Sequence, residues 1–391
     1  MRVRTFEERD IKPLGKLLSL AFGGAPGESE EYYDPERNPR LDPDLVYVAE
    51  LDGGVRATAT VLPLEVFVDG GPAPMGGVAA VATHPAYRRR RLAGELMRAV
   101  LGGMRERGLH LSMLDPFEHS FYRAYGWELA GDAVLYTLEP GRLARSPEQK
   151  HLRAYRGGDL ARMRELYERQ GQRHQLCVRR GEGSWRKILS GEELEAAVYA
   201  PGGEVEGYII YRHKRWPEGR RPARTLVAEE LVWGTPRSLS ALLSFLGSYD
   251  SKEFDIRHYT SPAERLHPHL ESAHVKMELE PDNMLRLVSV EGALRLLERS
   301  AAEPLVLEVS DEVLAENAGE YTLGGGEAVR GAEVAERVAL DVRRLAQLYA
   351  GYLSGEQLVR HGLVRGTERG LELLQELFPD ADPWLFPLDH F

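Results

Sequence analysis

The chain repeats itself, and the repeat limits what it can fold into. Near the start, "VRTFEERDIKPLGKLLSLAFG" reads as a short strand, an aspartate placed to cap, and an amphipathic helix. From 152, "LRAYRGGDLARMRELYERQ" has the same order, with Asp159 in the place of Asp10. A hairpin follows in each case: "VYVAELDGGVRATATVLPLEVF" turns at Asp-Gly-Gly and "AAVYAPGGEVEGYIIYRHKRW" at Pro-Gly-Gly. Then "GGVAAVATHP" and "VAEELVWGTP" each run as a strand to a proline ahead of a helix. Three successive elements in one order point to a duplicated domain of mixed α and β structure.

A chain of 391 residues is too long for one ordinary core. The polar stretch "SPEQKHL" at 146–152 separates the copies, and composition shifts again at "PDNMLRLV", 281–288. These divide the chain into 1–148, 149–283 and 284–391. The third part reads as a helix in "SVEGALRLLERS", strand-like segments in "PLVLEVSD" and "EYTLGGG", then three helical stretches. A formal charge of −11 disfavours nonspecific nucleic-acid binding. "MRVRTFEERDIKPL" has no apolar stretch for a signal peptide, no window is apolar enough for a membrane span, and Cys177 is the single cysteine. The expectation is a cytoplasmic protein without an intramolecular disulfide.

The segment that carries chemistry is "VAAVATHPAYRRRRLAGELMRAVL". An apolar strand, Val78 to Thr83, stops at Pro85, and Arg88, Arg89, Arg90 and Arg91 lead into a helix with Leu92, Leu96, Val100 and Met104 on one face. A basic loop feeding a helix N-terminus makes an anion site, because exposed N–H groups and the helix dipole both favour phosphate. Small residues, Ala93 and Gly94, leave room at the first turn. The alternative is a solvated charge run. Its position at a strand–helix junction argues against that, and so does the second copy: "WGTPRSLSALLSFLG" keeps the strand, proline and helix but one arginine only.

This segment resembles the pyrophosphate loop of the GNAT superfamily of acyl-CoA-dependent N-acyltransferases, Arg/Gln-x-x-Gly-x-Gly/Ala. Arg88 through Ala93 match it with one departure, Arg91 at the first glycine. Downstream, "LSMLDPFEHSFYRAYGWELAG" resembles the superfamily's strand, turn and helix ending in Phe-Tyr-x-x-x-Gly-aromatic. The resemblance implies acetyl-CoA as cosubstrate. It places Arg88, Arg89, Arg90, Arg91, Leu92, Ala93 and Gly94 at the pyrophosphate, and the main chain of Val81, Ala82 and Thr83 along the pantetheine and thioester. Phe117 and Glu118 are further cofactor contacts, and Tyr122 is the general acid. A leaving thiolate needs such a proton donor. Phe121, Tyr125 and Trp127 read as core or pocket wall.

One copy that keeps the motif, one that has lost it and a third unrelated part are similar to the enhanced intracellular survival (Eis) family. The fold class this implies is α+β: tandem GNAT folds, the N-terminal copy active and the second degenerate, plus a sterol-carrier-protein-like C-terminal domain. In that family the chain end returns to the first active site, which gives the ending "WLFPLDHF" a purpose. The resemblance implies that the α-carboxylate of Phe391 is the general base, with Trp384, Leu385, Phe386 and Leu388 pinning the tail. If the tail is structural only, Glu118 and His119 are the next candidates.

For the acceptor, "GAPGESEEYYDPERN" offers Glu28, Glu30, Glu31, Tyr32, Tyr33 and Asp34, with Asp389 beside the terminus. Acidic and aromatic groups suit a polycation, although the loop also reads as an ordinary exposed one. The resemblance favours a small-molecule amine, aminoglycoside- or polyamine-like. Protein lysine or N-terminal acetylation is the alternative enzyme, and an acyl-CoA sensor or lipid carrier the alternative of another class. It also implies a homo-oligomer, a hexamer, with no nucleic-acid or membrane partner. No metal is expected, since the histidines lack ligand spacing. His174 and "HPH" at 267–269 are expected on the surface, His84 and His390 could support the site from behind although an ordinary structural place is favoured for both, and Cys177 is a poor nucleophile.

Overall fold

The computed structural model describes the chain except for residues 25, 192, 216–223, 250–253, 271–274, 300, 302 and 325–335. It forms two compact units: Met1–Ala130 with Asp282–Ala381 and Phe391, and Gly131–Pro281 with Asp382–His390.

In the first unit, β1 (Arg2–Thr5) leads to helices α1 (Ile11–Phe22) and α2 (Pro26–Glu31). Strands β2 (Val46–Leu51), β3 (Gly54–Val68) and β4 (Gly71–Thr83) follow, then α3 (Leu92–Glu106), β5 (Leu111–Leu114), α4 (His119–Arg123) and β6 (Glu128–Leu129). The β2–β3 turn takes left-handed backbone at Asp52 and Gly53, φ 53° and 75°, as the Asp-Gly-Gly sequence demands. Neighbours run antiparallel from β1 to β4, β4 and β5 are parallel, and Met284–Leu287 pairs with both β5 and β6. Helix α3 buries Leu92, Leu96, Val100 and Met104 against Ala57, Ala59, Val61 and Val78. A second cluster gathers Leu14, Leu17 and Leu18 of α1 with Val46, Val48, Ala82 and Tyr33.

The described residues between 305 and 381 add a further part to this unit. Its sheet runs Gly319–Leu323, Leu305–Ser310, Arg337–Asp341, Arg365–Gly366, and three helices follow, Val342–Tyr349, Gly355–Arg360 and Glu368–Leu377. Polar ties fix it to the first sheet: Arg286 pairs with Asp311 at 2.5 Å, and the Gln347 amide donates to the Leu129 carbonyl at 3.1 Å.

The second unit repeats the first. Its sheet is ordered Lys276–Pro281, Asp132–Leu138, Phe254–Thr260, Arg224–Trp233, Gly207–Arg215, Glu195–Tyr199, Leu152–Ala154. Helices Leu160–Gly171 and Pro236–Gly247 stand in the places of α1 and α3. The expected caps are also paired. Asp10 accepts from the Glu7 N–H at 2.8 Å and holds Arg4 at 2.6 Å; Asp159 accepts from the Arg156 N–H at 2.8 Å and holds Arg153 at 2.7 Å. Both carboxylates act on the turn before the helix rather than on its first free N–H groups.

Strand membership does not follow sequence. Asp132–Leu138, which trails the first copy, pairs with Phe254–Thr260 of the second, whereas Met284–Leu287, which trails the second, pairs with β5 of the first.

The last residues of the second unit are tied along their length. The Gln175 N–H donates to the Asp382 carbonyl and the Trp384 N–H to the Gln175 carbonyl, each at 3.1 Å, and Phe386 packs on Tyr167 with centroids 5.3 Å apart. His174, expected on the surface, is buried, with Nδ1 2.8 Å from Asp382. Its carboxylate partner lies 208 positions away, beyond the reach of local pattern.

Candidate active site

Strands β4 and β5 part company after three paired residues. Their parallel register covers Met75–Leu111, Gly76–Ser112 and Gly77–Met113, and beyond Gly77 the β5-facing edge of β4 has no strand partner among the described residues. A bulge deepens the fork. Opposite β3 the register slips between Ala79 and Ala82, and Ala80 takes φ 50°, a left-handed conformation that disfavours a residue with a Cβ. On the β5 side the main chain of Val81, Ala82 and Thr83 therefore faces an opening, while on the other side Ala82 and Thr83 stay paired with Thr58 and Ala57 of β3.

The glycine pair at the fork serves two faces. A Cβ on Gly76 would run into the Met104 sulfur of α3, while one on Gly77 would stand 2.8 Å from the Phe391 ring. Phe391 thus reaches β4 at the last residue before the strands separate.

Past Thr83 the chain turns through Pro85–Tyr87, where His84 Nδ1 accepts from the Ala86 N–H at 3.2 Å. Arg89 and Arg91 then take left-handed backbone, φ 62° and 63°, and α3 begins at Leu92 with no side-chain cap. Two left-handed residues in the turn ahead of an uncapped helix leave the free N–H groups of its first turn open to an anion, the arrangement that binds phosphate. Arg91 occupies the conformation that glycine adopts freely, which explains why the superfamily pattern has glycine there.

A cavity of about 850 Å³ opens onto this hollow. Its wall holds Val81, Ala82, Thr83, Arg88, Arg89, Arg91, Leu92, Ala93, Gly94 and Phe117 of the expected cofactor residues. Two others lie elsewhere. Arg90 stacks on Tyr87, 4.9 Å from the ring centroid, and sits 3.9 Å from Asp52. Glu118 caps α4, accepting from the Ser120 N–H at 3.3 Å and hydroxyl at 2.9 Å, and those bonds hold its carboxyl below the usual range. Gly94 is small for a reason the sequence did not show: any Cβ there would strike the Tyr125 hydroxyl.

The wall also includes Ala21, Phe22, Tyr87, Glu95, Arg98, Phe121 and Tyr125. Phe121 and Tyr125 were readable as pocket wall. Phe22 was not, although an aromatic followed by "GG" is a signal: it ends α1, 67% exposed, and Gly23 and Gly24 turn the chain with φ 85° and 84°. Phe117, 68% exposed, also belongs to the wall.

Tyr122 lies on α4, 2% exposed, with Phe121 and Phe117 at centroid distances of 5.0 and 5.2 Å. Burial, and after it the negative charge of Asp115, raises its phenol above the ordinary tyrosine value, so it keeps its proton at neutral pH.

The expected acceptor field is weaker than the sequence promised. Tyr33 is fully buried among Leu14, Leu17 and Val48, and Tyr32 packs edge-on to it at 5.1 Å. Glu31 is paired with Arg37, and Asp389 is wholly buried against Arg180. Tyrosines that look exposed in a polar loop are here the lid of a core. Cys177 is buried, its thiol raised by desolvation and so far from a thiolate.

Comparison with known proteins adds the following. A family model for a GNAT acetyltransferase domain matches residues 2–130, a second GNAT acetyltransferase model matches 176–287, and a sterol carrier protein domain model matches 290–386. An uncharacterised N-acetyltransferase of Streptomyces avermitilis is 27% identical over 98% of this chain and 97% of its own. One from Streptomyces griseus is 26% identical over 94% of each. Among solved structures, a GCN5-related N-acetyltransferase from Kribbella flavida shares 25% identity over the whole of both chains, TM-score 0.84. Eis1 from Mycobacterium abscessus shares the fold over the whole of both chains at 21% identity, TM-score 0.79.

Proposed function

Because the chain belongs to the GNAT family of acetyltransferases, we propose that its first copy moves the acetyl group of acetyl-CoA onto an amine of a small polycationic acceptor, aminoglycoside- or polyamine-like. One observation carries the cofactor half of this reading: the uncapped start of α3 opens on a cavity walled by Arg88, Arg89 and Arg91, beside a fork where β4 has lost its β5 partner. The net charge of −11 supports a cationic acceptor.

In this reading a neutral amine attacks the thioester carbonyl, and the C–N bond forms as the C–S bond breaks. Tyr122 gives its phenolic proton to the departing thiolate. The α-carboxylate of Phe391 accepts the proton that the amine nitrogen loses and passes it to solvent, and solvent returns a proton to Tyr122. The placement of Phe391 against Gly77 supports this role. Along the sequence the reading keeps three domains, 1–148, 149–283 and 284–391, with the strands Asp132–Leu138 and Met284–Leu287 exchanged between their sheets. It also includes a hexamer, from the Eis resemblance, and a cytoplasmic location, from the lone cysteine. Sedimentation of the purified protein checks the assembly.

The deciding assay is CoA release from acetyl-CoA with polyamines, aminoglycosides, lysine peptides or no amine. Amine-dependent release with the small polycations supports the proposal. Release with the peptides alone makes the protein a protein acetyltransferase, and no release with any amine leaves a sensor or carrier.

Arg91→Gly gives a sharper test of the loop. A left-handed L-residue costs about 1–2 kcal/mol and a glycine about 0.5–1 kcal/mol of chain entropy, so the melting temperature should hold or rise. Acetyl-CoA binding should weaken by up to about fivefold, the worth of one exposed ion pair, with a flatter dependence on salt. Calorimetric titration at two ionic strengths reads both.

A further inference from the structure

The two copies can be laid strand on strand, and they treat the fork oppositely. By the order of elements, Gly77 of the first copy corresponds to Ala228 of the second, and each is the last residue of its strand in parallel register: Gly77 with Met113, Ala228 with His258. The fork therefore opens at the same place in both. Beyond it the first copy has Val78 and Ala79; the second has Glu229 and Glu230. The helix that follows differs as well. In the second copy Thr235 and Ser238 cap it reciprocally, at 3.0 and 3.2 Å, which occupies the N–H groups a phosphate would need.

Glu230 is fully buried and so is its partner Arg180. Arg180 donates from Nη1 to Glu230 at 3.1 Å and from Nε to Asp389 at 2.8 Å, so one guanidinium bridges the strand and the end of the chain. The Tyr167 hydroxyl lies 2.8 Å from Asp389 and 2.6 Å from the Val178 carbonyl, sharing its one proton between them, and the short helix Pro387–Asp389 packs on the strand Arg224–Trp233. Burying one cation with two acids is a poor way to gain stability, since apolar residues of similar volume do as well or better. What such a unit gives is a fixed position for its members.

We propose that the second copy has exchanged cofactor binding for holding the chain's own terminal segment. Arg180 and Glu230 are positioning residues that fix Asp389, two residues before Phe391. The consequence for turnover rests on the terminal-carboxylate reading above; the clamp itself does not.

The test therefore reads the clamp directly. Carboxypeptidase A, which removes aromatic C-terminal residues, should release Phe391 at least about tenfold faster from Asp389→Asn than from the unsubstituted protein, since cleavage follows the opened population. Tyr167→Phe, which removes the hydroxyl shared by Asp389 and the Val178 carbonyl and keeps the ring on Phe386, should fall between them. Ile256→Val, a core change in the same unit, serves as the control for general loosening. Release from Asp389→Asn and Tyr167→Phe no faster than from that control overturns the proposal. In the same samples kcat should fall by up to about 10²-fold with the acetyl-CoA KM held, the cost of a misplaced reacting group. Faster release with unchanged kcat keeps the clamp and removes the carboxylate from the chemistry, so the two readings fail separately.

Discussion

A protein carrying one extra glycine after Phe391 is expected to release CoA about 10²–10⁴-fold more slowly than the unextended chain, the range that loss of a positioned acid–base group produces. The added residue carries the α-carboxylate about 3.8 Å along the chain and leaves an amide at Phe391, which cannot take a proton. Acetyl-CoA affinity and melting temperature should not change, because the arginine loop and the ties at Asp382, Trp384 and Asp389 are untouched. An ordinary α-carboxyl titrates at about 3.3–3.7, so basicity alone would make it a feeble base. In the proposed role it acts through position: the Phe391 ring rests where β4 and β5 separate, and Gly77 has no side chain to keep it away. Phe391→Ala should accordingly fall between the two proteins, since it keeps the carboxylate and loses the anchor. Normal turnover by the extended protein would remove the terminus from the chemistry. His119 would then come before Glu118, whose carboxylate is already engaged by Ser120.

Much of the frame is legible because local physics writes it. Asp-Gly and Pro-Gly-Gly turns fix two hairpins, and the arginine-to-aspartate spacing of Arg4 and Asp10 recurs in Arg153 and Asp159. The anion hollow follows from a basic loop ahead of a helix. What escaped is nonlocal. A strand pattern says that Asp132–Leu138 is extended but not which sheet it joins, and the exchange with Met284–Leu287 is set by pairing partners about 120 and about 170 residues away in sequence. Hydropathy also misplaces paired charges and hydroxyls. Asp389, His174 and Tyr33 all look like surface residues, yet each is buried because a distant group satisfies it or because its ring fills the core. Close approach is the third blind spot: Gly77 and Gly94 are small because of Phe391 and Tyr125, and nothing in the strand or helix pattern says so.

The second large effect is expected from Tyr122→Phe, which should lower kcat by about 10²–10⁴-fold with the KM for acetyl-CoA within about twofold. The substitution keeps the ring contacts with Phe117 and Phe121, so the fold and cavity wall survive it. The pH profile separates this role from packing. Burial raises the phenol, so its protonated, donating form persists through neutral pH and beyond the ordinary tyrosine value of about 10. The acid is therefore never lost on the alkaline side below about pH 10, and kcat/KM should climb with pH as the acceptor amine loses its proton, then level off. In the phenylalanine variant the same climb should appear with a lower plateau, because the amine still titrates and only the proton donor is gone. An alkaline fall below pH 9 in the unsubstituted protein that disappears in the variant would mean that Tyr122 ionises in that range. A phenol that ionises there sits in a polar, solvated setting rather than the apolar one formed by Phe117 and Phe121, and the thiolate would have to draw its proton from solvent.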